Sequence, residues 1–317
     1  MKMPKALLPG AVCAALLIAM PCLVAAQDTA KPKVAHSATA QRTFATPQEA
    51  AEALVKAARD QNVQELLSVV GPSSRAWLLS GDEVADANDW ARFVAAYSEA
   101  NKLEMDGEAR AVLDVGKDDW PFPAPIVKHG ERWAFDAAAG REEILNRRVG
   151  RNELDVIQTL LAIVDAEREY AASDPDGNGL PDYAKRIKST HGRKDGLYWP
   201  TKENEPESPL GPLVAAASRE GYGKEGVPKP APYHGYYYRL LTSQGKDAQG
   251  GAYDYIVDGN LLGGFGVVAW PATYGVSGVM TFIVNHDGVV YQKDLGTATA
   301  ATASRMTRFD PDATWKK

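Results

Sequence analysis

The sequence predicts an α+β fold, because helical and strand patterns occupy separate stretches of the chain. No Pro or Gly interrupts Arg151 to Ser173, and apolar side chains recur there at the spacing of one helix face: Leu154, Ile157, Leu161 and Val164. After Tyr236 the pattern changes to short strands, and Asn285-His-Asp-Gly288 is a typical hairpin turn. We therefore expect a long helix packed on an antiparallel sheet of about four strands. The alternative is a separate sandwich to which the helix is only a linker.

Residues 1–26 have the pattern of a secretory signal peptide. Lys2 and Lys5 form a short basic region, an apolar run follows, and Val24-Ala25-Ala26 offers small residues for cleavage before Gln27. The alternative is an uncleaved membrane anchor, since the run approaches the roughly 20 residues that a span needs. Two prolines in the run favour cleavage. We therefore expect a periplasmic or secreted protein with no stable membrane span after cleavage.

Charge and cysteine content narrow the classes of partner and chemistry. The formal charge of −6 becomes −8 once Lys2 and Lys5 are removed, because no acidic residue precedes Asp28. An acidic chain without a block of Lys and Arg argues against nucleic acid as a partner. The only cysteines, Cys13 and Cys22, lie in the leader. The mature protein is therefore expected to have no disulfide and no Cys-based zinc site.

A disordered spacer is expected over 27–43 and a small α+β domain over 44–139. Thr46, Pro47 and Glu49 have the pattern of a helix N-terminus with a capping box. The next elements predicted are helices at 63–70 and 90–97, an alternating strand at 109–115, and a hairpin around His129-Gly130-Glu131. This order resembles the cone-shaped fold of nuclear-transport-factor-like domains, in which a curved sheet wraps helices around a pocket.

The second domain is expected over 140–317, with the long helix first. A short helix is predicted at 209–221, after Ser208 as its N-cap. A glycine- and tyrosine-rich stretch then predicts five strands, at 236–242, 252–257, 264–270, 278–284 and 289–293. A long helix followed by an antiparallel meander is the arrangement expected of an α+β domain.

Several long motifs resemble an exported bacterial family catalogued as domain of unknown function 2950. They include RRVGRNELDVIQTLLAIVDAEREYA, DGLYWP, SPLGPLVA, YHGYYYRLLTSQG and GVMTFIVNHDGVVYQKDLG. The resemblance runs from about Phe44 to Trp315 and implies no activity and no catalytic residues. The second half is also similar to the globular heads of type IV pilins and type II secretion pseudopilins. Unlike them, the chain lacks a prepilin cleavage motif and an apolar first half of the helix.

One segment has the spacing of metal ligands. In D-x-D-x-N-G-x-x-D, Gly179 at position 6 permits the sharp turn that lets oxygen ligands converge on calcium. The side-chain ligands would be Asp174, Asp176, Asn178 and Asp182, joined by the carbonyl of Leu180. Lys185 stands at position 12, where an acidic ligand is expected, so affinity would be weak. The alternative is an acidic turn whose side chains cap backbone donors.

Other side chains offer weaker candidates. The five histidines share no ligand spacing. His234 stands among tyrosines, which favours an aromatic sheet face over a site. Glu142-Glu143 and Glu167-x-Glu169 are candidate carboxylate pairs for acid–base chemistry, but surface acids explain them as well.

These observations leave three classes of function. The first is a non-catalytic binding or assembly protein that presents aromatic residues, among them Trp120, Trp199 and Trp270, to an envelope protein or surface component. The second is an envelope hydrolase that uses carboxylates. The third is a small-ligand carrier with a pocket in the first domain. The sequence has no G-x-S-x-G, P-loop or H-E-x-x-H motif, which favours the first class and leaves catalysis undecided.

Overall fold

Helices and antiparallel strands alternate in blocks along the chain, and this confirms the predicted α+β fold. The computed structural model describes residues 40–224 and 230–317. The predicted signal peptide, its cleavage site and nearly all of the 27–43 spacer lie outside the described residues. Within the described ranges no helix is long and apolar enough to cross a membrane.

Four helices and a short 3-10 turn open the described chain. They are α1 (Pro47–Arg59), α2 (Val63–Val70), the 3-10 turn Pro72–Ser74, α3 (Arg75–Leu78) and α4 (Glu83–Glu99). The Oγ1 of Thr46 accepts a hydrogen bond from the Glu49 N–H at 3.1 Å, as its predicted capping role requires. The Glu49 carboxylate, however, accepts from the N–H of Ala45 rather than from that of Thr46, so the capping box is shifted by one residue.

The first sheet is antiparallel and follows these helices. Its strands are β1 (Asn101–Met105), β2 (Arg110–Val115), β3 (Trp120–Pro121), β4 (Ile126–His129) and β5 (Arg132–Phe135), in the order β1-β2-β4-β5 with β3 on β2. The predicted hairpin is confirmed, since His129 pairs with Arg132 around Gly130 at φ 62°. Helices α1 and α2 bury their apolar faces against this sheet and form the first core with it.

The long helix α5 (Arg141–Ser173) has 33 residues and is ten residues longer than the predicted uninterrupted segment. Gly150 does not break it. The helix begins where Gly140 lies against the backbone of Pro123 and Ala124, so closely that an added Cβ would be 2.7 Å from the Ala124 nitrogen. Only glycine allows this approach. It fixes the first turns of α5 beside the first sheet.

The face of α5 that is buried differs from the predicted one. Leu154 is 67% exposed, whereas the buried stripe contains Asn152, Val156, Leu160, Ile163, Glu167 and Tyr170. Of the four predicted positions only Val164 is fully buried. Near its start α5 also packs Ile144 and Leu145 on the first core. One helix therefore contributes to two apolar cores.

The buried stripe of α5 packs on the second sheet. Its four strands, β6 (Tyr236–Leu241), β11 (Gly266–Pro271), β12 (Met280–Asn285) and β13 (Tyr291–Asp294), are antiparallel in the order β13-β12-β11-β6. Alternate residues serve opposite faces, as the pleat requires. Val267, Phe282 and Val284 pack with α5 in the second core. Val268 and Ile283 pack in a third core on the other side of the sheet.

The remaining elements are short. They are α6 (Gly211–Glu220), β7 (Ser243–Gln244), β8 (Tyr253–Asp254), β9 (Ile256–Val257), β10 (Asn260–Leu261), the 3-10 turn Gly296–Ala298, α7 (Thr299–Ala303) and β14 (Arg308–Phe309). Phe309 and Ala303 fill the third core. The predicted β12–β13 hairpin is present, but pairing starts at Ile283 and Tyr291, so its loop is longer than a two-residue turn.

Candidate functional site

The acidic loop predicted as a metal site begins where α5 ends. Asp174 adopts a left-handed conformation (φ 43°) at the C-cap. Its two carboxylate oxygens accept hydrogen bonds from the N–H groups of Asn178 and Gly179, each at 3.0 Å. Asp174 therefore caps backbone donors of the turn, which is the arrangement that the plain-turn alternative expects.

Asn178 brings two of the other predicted ligands together. Its side-chain amide donates to Asp176 at 3.2 Å and to Asp182 at 3.0 Å, and its Oδ1 accepts from the Leu180 N–H at 2.7 Å. Asp182 is only 2% exposed, and its Oδ2 has no hydrogen-bond partner among the described residues. Burial, followed by the charge of Asp182, raises the pKa of Asp176.

The loop lacks an acidic ligand at its end, as the sequence indicated. Lys185 points to the turn before β10, where its ammonium donates to the carbonyl of Gly259 at 2.8 Å. No group of three or more acidic or histidine side chains within residues 40–224 and 230–317 is placed to hold a metal ion. In this conformation the Asn178 amide, a donor, lies between the carboxylates of Asp176 and Asp182.

The two candidate carboxylate pairs are not arranged as pairs. Glu167 is fully buried and accepts a hydrogen bond from the Ala184 N–H at 2.8 Å, whereas Glu169 is exposed. Burial raises the pKa of Glu167 well above its usual value. On the first turn of α5, Glu143 pairs with Arg147 four residues on. Glu167 therefore ties α5 to the segment at Ala184, whereas Glu143 pairs within its own helix.

The three tryptophans expected on one surface lie in three different parts of the structure. Trp199 is buried in the core beneath α5, Trp270 packs on the third core, and Trp120 lies at the edge of the first sheet. They therefore do not form the predicted common surface. Trp120 instead lines a cavity, a position that the sequence analysis did not predict for it.

This cavity has a volume of about 410 Å³ and lies between the first helices, the first sheet and the start of α5. Its walls are largely aromatic and aliphatic, and the aromatic side chains are Trp77, Trp90, Phe93, Trp120 and Phe122. Trp77 is almost wholly buried, and its indole N–H donates to the Ala137 carbonyl at 3.1 Å, which fixes the ring. Such a volume is within the range typical of small-molecule sites, roughly 300–1,000 Å³.

Four arginines also line the cavity, and three of them are paired with acids. Arg151 forms two hydrogen bonds with Asp89, at 3.1 and 2.9 Å, and Arg92 pairs with the same carboxylate. Arg147 pairs with a glutamate of its own helix, and its guanidinium lies 5.2 Å from the Trp120 ring centre. These three side chains remain half exposed.

Arg148 is different because it is buried. It is 8% exposed, and among the described residues its Nη1 has no hydrogen-bond partner. No carboxylate oxygen of residues 40–224 and 230–317 lies within 4.0 Å of the Arg148 guanidinium. Burial lowers its pKa, and the more distant charges of Asp86 and Asp89 offset this only in part. Asp86 is itself buried, and this burial raises its pKa to about 6.

A second, smaller cavity of about 270 Å³ shares Arg92 and Arg151 with the first. His234 lies in its wall, with Nε2 2.9 Å from Glu220 and Nδ1 3.4 Å from Asp155. The interpretation of His234 as part of an aromatic sheet face is wrong, because it precedes β6 in a turn with φ 50°. The alternation of a strand does not apply there. The ring stacks on Tyr233 at 4.1 Å.

A pocket in the first domain was one of the alternatives drawn from the sequence, but the residues that line the two cavities were not predicted, because the walls come from distant parts of the chain. The first draws on residues from Leu54 to Arg151, and the second joins α4 to His234. The one local signal was the RRVGR segment that starts at Arg147, since basic side chains at 147, 148 and 151 share one side of a helix. The acidic loop, in contrast, is contiguous and was found directly.

Comparison with known proteins gives one match. The model of a family described as "Protein of unknown function (DUF2950)" matches residues 41–317. No curated protein matches the chain, and no solved structure does. The similarity of the second half to pilin heads therefore stays a prediction.

Proposed function

Because the chain belongs to the DUF2950 family, whose description names no activity, we propose its function from the cavity of about 410 Å³. The protein binds a small, largely apolar ligand between α4, the start of α5 and the first sheet. The observation that carries this proposal is the cavity of about 410 Å³ with an aromatic wall.

Packing energetics support this reading of the cavity. A ligand that covers the apolar wall removes this surface from water, which is favourable. It also gains dispersion contacts with the side chains of the wall. The rigid rings of Trp77 and Phe122 provide large contact areas at little cost in conformational entropy.

The polar part of the wall favours binding over covalent chemistry. Its polar side chains are the four arginines and Asp89, and two of those arginines hold Asp89. Arginine keeps its proton in proteins and serves in recognition. We therefore propose a non-catalytic carrier or binding module.

The proposed location is the periplasm or the exterior, with an envelope component as the source of the ligand. Support comes from the basic and apolar pattern of residues 1–26, with small residues before Gln27. The acidic charge of the chain argues against nucleic acid as the partner.

A neutral fluorescent probe tests ligand binding directly. N-phenyl-1-naphthylamine brightens in apolar surroundings and should bind the protein saturably, with one site per chain and quenching of tryptophan fluorescence. Ala96→Phe places a ring in the cavity from α4 and should weaken binding about tenfold or more, about 1.4 kcal/mol. Ala95→Phe is the control, since Ala95 is the exposed neighbour. No saturable binding, or equal affinity in both variants and wild type, would refute the proposal.

We also propose that the acidic loop binds calcium weakly, through Asp174, Asp176, Asn178, Asp182 and the Leu180 carbonyl. The supporting observation is the buried Asp182 Oδ2, which has no partner within the part of the chain that the structure describes, on a carboxylate that already faces Asn178. Rotation of the Asn178 amide would present its oxygen in place of its N–H₂ group.

Melting curves of chelator-treated protein test this second proposal. Calcium at about 5–10 mM, above the weak range of extracellular sites, should raise the melting temperature, whereas magnesium should change it little. Asp182→Asn should abolish the calcium response, and Asp165→Asn, an exposed change on α5, should preserve it. An unchanged melting temperature with calcium would leave the loop as a plain turn.

A further inference from the structure

We infer that the ligand is an amphiphile with one aliphatic chain and a carboxylate head, and that Arg148 binds this head. The inference rests on the proposed function, since it assigns a ligand class to the same cavity. It follows from the difference between Arg148 and the other three arginines of the wall.

The paired arginines have their charges balanced by protein acids. Asp89 is shared by Arg92 and Arg151, and Arg147 has its own glutamate. All three also reach water, which would compensate them without a partner. None of them needs a ligand anion.

Arg148 lacks a paired acid among the described residues and most of the contact with water that the other three have. Only 8% of it is exposed, and its Nη1 finds no acceptor in residues 40–224 and 230–317. A guanidinium cannot escape this by losing its proton, and a buried charge without a partner is strongly unfavourable. A charged side chain in such surroundings is typical of a site that is completed by something the protein binds.

The shape of the guanidinium indicates which chemical group of a ligand Arg148 would bind. Its N–H groups form a planar fork that matches the two oxygens of a carboxylate. The rest of the wall is largely apolar and includes Ile144, on the preceding turn of α5, and Phe122. One end of the ligand must therefore be anionic and the rest aliphatic. The volume of about 410 Å³ lies at the small end of ligand cavities, which favours a single chain.

Competition with the neutral probe tests the head group apart from the chain. Dodecanoate and dodecanol share the aliphatic chain and differ in charge at about pH 8, well above the carboxylate pKa. Below the concentrations at which they form micelles, dodecanoate should displace the probe at about tenfold lower concentration, as a charge-assisted hydrogen bond would provide.

Variants then assign the preference to one side chain. Arg148→Met should remove the preference for dodecanoate and leave dodecanol binding intact, and Arg148→Lys should restore part of it. Arg141→Met is the matched control, because Arg141 is on the same helix, exposed and outside the cavity wall. The Met variant should fold, since replacing a buried unpaired charge by an apolar side chain is commonly neutral or stabilising.

The outcomes separate the two proposals. If the probe binds but dodecanoate and dodecanol compete equally, the carboxylate assignment fails and the apolar binding site stands. If Arg148→Met keeps the full preference, the assignment to Arg148 fails. If the probe does not bind saturably at all, the proposed function itself fails.

Discussion

At the scale of single residues, the wall of the large cavity holds one buried charge, that of Arg148, in addition to three half-exposed arginines. Arg148 and Asp86 are both nearly buried, yet they are too far apart to form an ion pair. Each is therefore less stable in its charged form than it would be in water. Binding sites commonly retain such unfavourable groups, because the ligand supplies what the fold leaves out.

The burial of Asp86 has a measurable effect on the stability of the protein. Burial raises its pKa from 3.8 to about 6, although the Ser80 N–H donates to both carboxylate oxygens. An acid with a raised pKa keeps its proton longer in the folded state. Folding is therefore favoured below about pH 4, and this contribution is lost as the pH rises through 6.

We predict that the free energy of unfolding of the wild-type protein falls as the pH rises from about 4 to 6, and that Asp86→Asn does not show this fall. The fall should be about 3 kcal/mol, since each pKa unit corresponds to about 1.4 kcal/mol. Urea unfolding across this range measures it, with Asp165→Asn as the exposed control. If the wild type and Asp86→Asn follow parallel pH profiles, the environment assigned to Asp86 is wrong.

At the scale of elements, α5 shows what the sequence could predict and what it could not. The helix and its packing on a four-stranded antiparallel sheet were predicted from periodicity and turn residues. The buried face was not, because two of its members, Asn152 and Glu167, are polar and have partners that are distant in sequence. Asn152 donates to the Ser277 carbonyl at 2.9 Å and Glu167 accepts from Ala184.

The rotated face of α5 predicts unequal effects of two leucine substitutions. Leu160→Ala removes a side chain with no exposure from the second core and should cost about 2–5 kcal/mol. Leu154→Ala changes a side chain that is 67% exposed and should stay within about 0.5 kcal/mol of wild type. Chemical denaturation compares them. Similar losses for both, or a larger loss for Leu154→Ala, would contradict the packing.

At the scale of the whole molecule, α5 joins the two sheets. Its first turns contact the first core, Arg148 reaches the cavity, and the turns from Val156 onward fill the second core. The division into domains at 139 and 140 stays a prediction. What the sequence could not reveal is this sharing, because periodicity identifies a helix face but not the sheet that covers it.

Export is the prediction that concerns the chain as it is made. Expressed in a bacterium with its first residues intact, the protein should be recovered from the periplasm with Gln27 at its N-terminus. Intact-mass measurement distinguishes this from the full chain. A mass that includes Met1, or recovery only from the cytoplasm, would contradict it.

The central claim is that the large cavity binds an apolar chain, and a crystal structure with ω-bromododecanoate tests it most directly. The bromine gives an anomalous signal that locates the end of the chain without ambiguity. We predict a peak among Trp77, Phe93 and Phe122, with the carboxylate within hydrogen-bond distance of the Arg148 guanidinium. An empty cavity, or a peak found only on the outer surface, would contradict the account.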